Sequence, residues 1–285
     1  MRCVDSLRKR ATKFFFTRLI KNVKNKKIRP FRIDKQGLWF ETKYGFSVYS
    51  NLKDRILELD VNATWEDMEG TFIVHNLKEG AVFVDVGANI GYFSMLAAQQ
   101  KAGKVLAIEP IPKTYDMLNM NIEYNMFTDV IEPLNIALGG KEHTAKFICS
   151  LGPKNHMVYE VEDIHRDLPT INVNVTTLDN LLKYRKEIGR IDFIKVDIEG
   201  AEHSFLLEAR KTIEVFKPII MMEIEEHRLT KYNVTAENVF NFMNDLGYKY
   251  LSVAEDSITE GNTYVEDLKR GRDFIFYTPN HNLIY

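Results

Sequence analysis

The sequence predicts a doubly wound α/β fold with a mostly parallel sheet, and three observations carry that prediction. Short apolar runs of strand length recur along residues 82–224, most of them followed by a stretch of helical periodicity. The first of these runs, Val82-Phe83-Val84-Asp85-Val86, ends at a glycine turn, Gly87-Ala88-Asn89-Ile90-Gly91. The composition, 45% hydrophobic and 27% charged over 285 residues, is that of an ordinary globular chain long enough for one large domain.

Taken in order, residues 37–42 and 45–49 read as strands with turn glycines between them, a small β lead-in over 33–70. The regular pattern occupies 71–285. The strand at 82–86 precedes a helix over 90–100; Val105-Leu106-Ala107-Ile108 precedes a helix over 113–125; a third strand spans 130–138. The alternation then breaks. Residues 143–150 and 171–177 read as inserted strands around a polar loop, 151–170. It resumes with a strand at 191–196, one helix over 201–216, a strand at 219–224, a helix over 235–246 and terminal strands at 249–253 and 273–277. No internal repeat is present.

Charge divides the chain differently. Residues 1–32 carry twelve Lys/Arg against Asp5, a charge of +11, which leaves 26 bases against 39 acids, or −13, for the rest. Phe14, Phe15, Phe16, Leu19, Ile20 and Val23 form an apolar stripe among those bases, so 7–23 is expected to be a short amphipathic helix. Arg18 and Lys21 interrupt the stripe and exclude a secretory signal. Such an arm suits peripheral contact with an anionic membrane surface, or packing as a solvated helix on the acidic body. No nucleic-acid module is recognisable. Cys3 and Cys149 form no C-x-x-C pair and no run of 18 apolar residues exists, so a reducing, cytoplasmic setting is expected, with the arm at most touching a membrane. Oligomeric state is not legible.

Ligands of such sheets bind beyond the carboxyl ends of the strands, at the switch point. Gly87 and Gly91 give that turn a backbone free of side chains, and Glu109 ends the second strand, where a carboxylate accepts the two hydroxyls of a ribose. A dinucleotide is disfavoured, because the third glycine of G-x-G-x-x-G is missing and Asp85 would repel a pyrophosphate. S-adenosylmethionine (SAM), with a sulfonium and an ammonium at that end, suits both carboxylates.

Lys195, Asp197 and Glu199 alternate at a strand end and are expected to project to one side. They admit several roles. Asp197 or His203 would act as general base; Asp197, Glu199 and Glu223 would bind a hard divalent ion; or proximity would supply most of the rate, with a buried ion-pair cluster merely fixing the strand ends. His75, His143, His156 and His281 are expected to be surface or satisfied residues, and Trp39 and Trp65 to pack in cores.

The run Phe83-Val84-Asp85-Val86-Gly87-Ala88-Asn89-Ile90-Gly91-Tyr92-Phe93-Ser94 resembles the first motif of the FkbM family of SAM-dependent methyltransferases. So do Asn135-Ile136-Ala137-Leu138-Gly139, Thr177-Leu178-Asp179-Asn180-Leu181, the K-x-D-x-E-G-x-E run from Lys195 to Glu202, and Pro218 to Glu223. The resemblance spans about 80–225. It implies a Rossmann-like class I methyltransferase fold and methyl transfer to a hydroxyl of a saccharide, glycan or secondary metabolite. It also implies that Asp85, Gly87, Asn89 and Gly91 line the methionine moiety, that Glu109 holds the ribose, and that Asn135 and Ala137 lie near the adenine. The loop containing Lys154, Asn155, His156 and Met157 departs from the family's small-residue stretch. The alternatives carried forward are an NAD-dependent oxidoreductase and a non-catalytic SAM-binding module.

Overall fold

In the computed structural model, whose described residues are 31–33, 38–50, 67–148 and 170–285, two units are distinguished, 1–67 and 68–285. The amphipathic helix expected over 7–23, Cys149, Trp65 and the loop residues from Lys154 to Met157 lie outside the described residues. The first unit holds β1 (Phe31–Ile33), β2 (Leu38–Glu41) and β3 (Ser47–Ser50), an antiparallel meander in the order β1-β2-β3. Gly45, at φ +88°, makes the tight turn between β2 and β3. Trp39 is buried and meets Tyr49 edge-on at 5.3 Å, so it serves core packing.

The second unit opens with α1 (Asp67–Asn76), then β4 (Val82–Val86), α2 (Tyr92–Gln99), β5 (Lys104–Ile108), α3 (Pro112–Tyr124) and β6 (Ile131–Leu134). Next come β7 (Ala137–Leu138), β8 (His143–Ile148), β9 (Thr170–Thr176) and α4 (Leu178–Lys183). The chain continues through β10 (Phe193–Val196), α5 (Glu202–Glu208), α6 (Arg210–Phe216), β11 (Ile219–Glu223) and α7 (Glu226–Leu229). It finishes with α8 (Ala236–Asp245), β12 (Lys249–Val253), β13 (Ile258–Glu260), α9 (Tyr264–Asp267) and β14 (Asp273–Tyr277). Among the described residues no helix is long and apolar enough to cross a membrane.

The main sheet runs β13-β12-β14-β11-β10-β4-β5-β6. Strands β6, β5, β4, β10 and β11 are parallel to one another, and β14 runs antiparallel between β11 and β12. The chain moves outward from β4 through β5 to β6, then returns to the other side of β4 as β10 and β11. The switch point therefore falls between β4 and β10. This strand order is that of a class I methyltransferase fold.

Strand parity explains the two layers of core. Val84, Val86, Ile194, Val196, Ile220 and Met222 face one way and pack with Leu178, Phe205, Ile213 and Val239 of the helices. The opposite residues, Phe83 and Phe193, stack at 5.1 Å with Phe72 of α1 beside them at 6.3 Å from Phe193. The central strands β4, β5, β10 and β11 are buried on both faces, which is why they read as nearly continuous apolar runs.

Two expected elements are interrupted. The strand expected over 130–138 stops at Leu134; the Asn135 amide donates to the carbonyls of Glu109 (2.9 Å) and Pro110 (3.0 Å), and the chain leaves to form β7 of a second sheet, β7-β9-β8. The helix expected over 201–216 is broken at Ala209. The Asp179 carboxylate accepts from both the amide (3.0 Å) and the hydroxyl (2.6 Å) of Thr212, diverting that N–H from the helical ladder. Neither interruption leaves a mark in the periodicity.

Candidate functional site

A cleft opens at the carboxyl edge of the sheet beside the switch point, where ligands of such sheets bind. Its floor is two chain turns in contact. Gly87, at φ +84°, lies so close to the turn after β10 that a Cβ on it would stand 1.9 Å from the Asp197 carbonyl oxygen. Asn89 follows in the left-handed region at φ +52°, which Asn tolerates better than most residues. Gly91, at φ +90°, precedes α2, and a Cβ there would meet Leu118 Cδ1 at 2.4 Å. Gly87 and Asn89 line the cleft; Gly91 shapes the turn beneath it.

Glu109 lines the wall next to this turn and is buried. Its two oxygens accept the amides of Ile111 (2.9 Å) and Asn89 (3.0 Å), so it ties the β4 turn to the β5 turn. Burial outweighs those hydrogen bonds and pushes the carboxyl up to about 7. Each oxygen retains a lone pair for a ligand hydroxyl. Ala137 lines the same wall, whereas the exposed Asn135 spends its side-chain amide on the loop after β5 and does not line the cleft.

Asp85 is placed differently from the expectation that it lines the ligand. It is 1% exposed, accepts the Ser94 hydroxyl at 2.6 Å, and stands in register with Lys195 on the neighbouring strand. Burial pushes its carboxyl up. Strand parity is the reason: Asp85 shares the face of Phe83 and is covered by α2, one layer under the cleft.

The second constellation is also partly rearranged. Lys195, buried on β10, donates to Asp197 at 3.2 Å and sits 4.7 Å from the centre of the Phe93 ring. Asp197 lines the cleft. Burial works to raise its carboxyl, but Lys195, a hydrogen bond from Glu223 and the charge of Arg228 together hold it below the usual range. Glu223 is pushed up to about 9, by burial first and the Asp197 charge second, against the opposing charges of Arg228 and Arg272.

The expected alternation stops before Glu199. β10 ends at Val196, and Glu199 lies in a turn at φ +59°, where its carboxylate pairs with Arg228 at 2.7 Å. Arg228 also reaches Glu223 at 2.6 Å and pairs with Glu225, while Arg272 holds the other Glu223 oxygen at 2.9 Å. A guanidinium thus stands between two of the three carboxylates expected to bind a divalent ion. Among the described residues no group of three His, Cys, Asp or Glu side chains is arranged to hold a metal. The residues present do not fit a hard cation.

His203, the other candidate base, lies on α5 with its ring 6.4 Å from that of Phe242 and does not line the cleft. Burial lowers its pKa. Its helical position turns it toward α8. His75 and His143 are exposed, and His281 is bonded to Thr278.

Sequence reasoning assigned no role to four residues that the fold makes important. Glu202 is 2% exposed and accepts the amides of Gly200 (3.0 Å) and Ile198 (3.3 Å), clamping the acidic turn; its spacing in E-G-x-E was the available signal. Arg228 and Tyr232 pack on Gly200, where a Cβ would meet each at 2.8 Å, and Tyr232 lines the cleft. Phe147 reaches the cleft from the second sheet. No local pattern announces those three.

The fit to a SAM-sized donor rests on this structure's own donor set. A side-chain-free turn adjoins a carboxylate with lone pairs to spare, and among the described residues the carboxylates Glu109, Asp197 and Glu199 line the cleft with no Lys, Arg or His beside them in the lining. That polarity suits a cationic ligand.

The comparisons agree. The FkbM methyltransferase domain model matches residues 85–250. Methyltransferase sdnD of Sordaria araneosa is 28% identical over 191 residues, 58% of this chain and 68% of that protein. Methyltransferase 1 of Beauveria bassiana is 25% identical over 178 residues, 56% of this chain and 71% of that protein. Among solved structures, the methyltransferase FkbM from Methylobacillus flagellatus KT matches with a TM-score of 0.45 and 21% identity, over 70% of this chain and 44% of that one.

Proposed function

Because the chain belongs to the FkbM family of SAM-dependent methyltransferases, we propose that it methylates a hydroxyl, on a saccharide, glycan or related metabolite. When bound, SAM supplies a methyl group already activated by its sulfonium. What remains for the protein is to hold the donor, align the acceptor and receive a proton.

The observation that carries the reading is Asp197. It is a carboxylate at the cleft surface, held below the usual carboxylate range against burial, chiefly by the charge of Lys195. A carboxylate of lowered pKa is a poor proton abstractor and a good hydrogen-bond acceptor. Asp197 therefore aims the O–H before reaction and takes up its proton only as the O–C bond forms and the S–C bond breaks, when the oxygen becomes strongly acidic, so alignment does most of the work. Lys195 positions Asp197 from behind. Glu199, clamped by Arg228, and Tyr232 complete the wall on that side.

Asp197→Asn is expected to lower kcat by about 10- to 100-fold and, because Asp197 also stands on the acidic side of the cleft, to weaken S-adenosylhomocysteine by no more than about tenfold, so that the loss in kcat measured at saturating donor reports its role toward the acceptor. Radiolabelled transfer to a panel of mono- and oligosaccharides, with the methylated atom identified by NMR, supplies the assay. Label found on nitrogen or sulfur instead of oxygen would overturn the hydroxyl assignment.

The charge of +11 on residues 1–32 supports a second element of the proposal. It would hold the enzyme at an anionic membrane where lipid-linked glycans are assembled, at about 1 kcal/mol per basic residue near the surface. The full chain is expected to co-sediment with vesicles containing anionic lipid, and the chain lacking 1–32 to stay in the supernatant. Equal partitioning sinks the idea.

A further inference from the structure

Beyond Glu109, which lies between the two ends, the charged side chains of the cleft stand at its switch-point end and none at the other. On the switch-point side stand Asp197 and Glu199; on the far side stand Ile111, Ala137, Leu138 and Phe147. A donor whose ribose rests on Glu109 places its charged amino-acid half toward the acids and its uncharged, flat base toward the apolar side. That apolar side is not built by the main sheet alone. β6 stops at Leu134, and the chain enters the second sheet, in which β8 runs antiparallel to β9 with Phe147 opposite Ile171. Along β8, Ala145 and Phe147 are buried while Thr144 and Lys146 are exposed, so parity sends Phe147 inward. There it joins Ile111, Ala137, Val173 and Val175 in a small separate core, 7% exposed, with its remaining surface on the cleft.

We propose that Phe147 is a specificity residue of the donor site, its ring forming the wall against which the purine of the donor packs. It is contributed by the inserted sheet and lies outside every motif by which the sequence resembles its family. An aromatic ring offers a base both apolar area and a stacking face, which an aliphatic side chain of similar volume lacks. The inference rests on the donor being SAM.

The test compares S-adenosylhomocysteine with S-ribosylhomocysteine, the same molecule without its base, by calorimetry on the native chain and on Phe147→Leu and Phe147→Tyr. The native chain is expected to prefer the adenosyl compound strongly. Phe147→Leu should weaken S-adenosylhomocysteine by about 5- to 10-fold and leave S-ribosylhomocysteine within about twofold, compressing the ratio. Phe147→Tyr should keep the native ratio. Melting of the ligand-free proteins reports on the fold, and Phe147→Tyr serves as the folded reference. Equal weakening of both ligands in Phe147→Leu, or no change in either, overturns the proposal. Failure of native protein to bind S-adenosylhomocysteine would instead refute the donor reading itself.

Discussion

Gly87→Ala is expected to abolish S-adenosylhomocysteine binding and to lower the melting temperature by about 10 °C, as a loss of about 3–5 kcal/mol would in a chain of this size. Two costs combine. At φ +84° an alanine is strained, and its Cβ would fall 1.9 Å from the backbone oxygen of Asp197. Backbone cannot swing aside as a flexible side chain can. The turn after β10 must move, and with it Asp197, the Glu202-clamped loop and the floor of the cleft. Circular-dichroism melting and calorimetry measure the two effects. Native-like melting with retained binding would mean that the two turns are not held in contact.

Glu109→Gln is expected to weaken S-adenosylhomocysteine by about 100-fold, corresponding to roughly 3 kcal/mol. The substitution keeps the shape but not the chemistry. One carboxylate oxygen becomes an NH₂ facing a backbone amide, either that of Asn89 or that of Ile111, so two donors oppose one another. One acceptor for a ribose hydroxyl is lost as well. The native carboxyl, pushed up to about 7 by burial, also predicts a pH dependence. A ligand that donates to the ionised form binds fully above that value and progressively less as pH falls through it. Affinity should therefore drop between about pH 8 and pH 6 in the native protein and stay level in Glu109→Gln. An identical slope in both would assign the titration to another group.

How much of this was legible beforehand depends on how local the cause is. The terminal strands at 249–253 and 273–277 were placed to the residue because an apolar run reports its own burial. The helix over 201–216 was not divided, because the divider, Asp179, comes from another helix. Asp85 was recognisable as a carboxylate at a strand end, but only the register that sets it beside Lys195 decides that it serves the layer below the cleft. The three carboxylates proposed as metal ligands do converge near one strand edge; what excluded a cation was Arg228, a residue with no motif of its own. Gly87, Asn89, Glu109, Ala137, Asp197 and Glu199 do line one cleft. Local sequence identified the turns, and tertiary contact chose which of their side chains face the cleft.

The position of β14 bears on how the molecule is made. It lies between β11 and β12 in the sheet, yet it is the last strand along the chain. During synthesis at ~5–20 residues per second, the strands on the β4 side can pair as they emerge from the ribosome, but β12 and β13 have no edge to join until β14 is released. The same strand brings Arg272 and Asp273 to the acidic edge beside Glu223. A nascent chain halted before residue 272 would thus carry the whole glycine turn and the cleft carboxylates Glu109, Asp197 and Glu199 while leaving the β11 edge unpaired and Glu223 without one of its two guanidinium partners. Assembly of the sheet's second half, and of the charge balance behind Asp197, waits for the final strand.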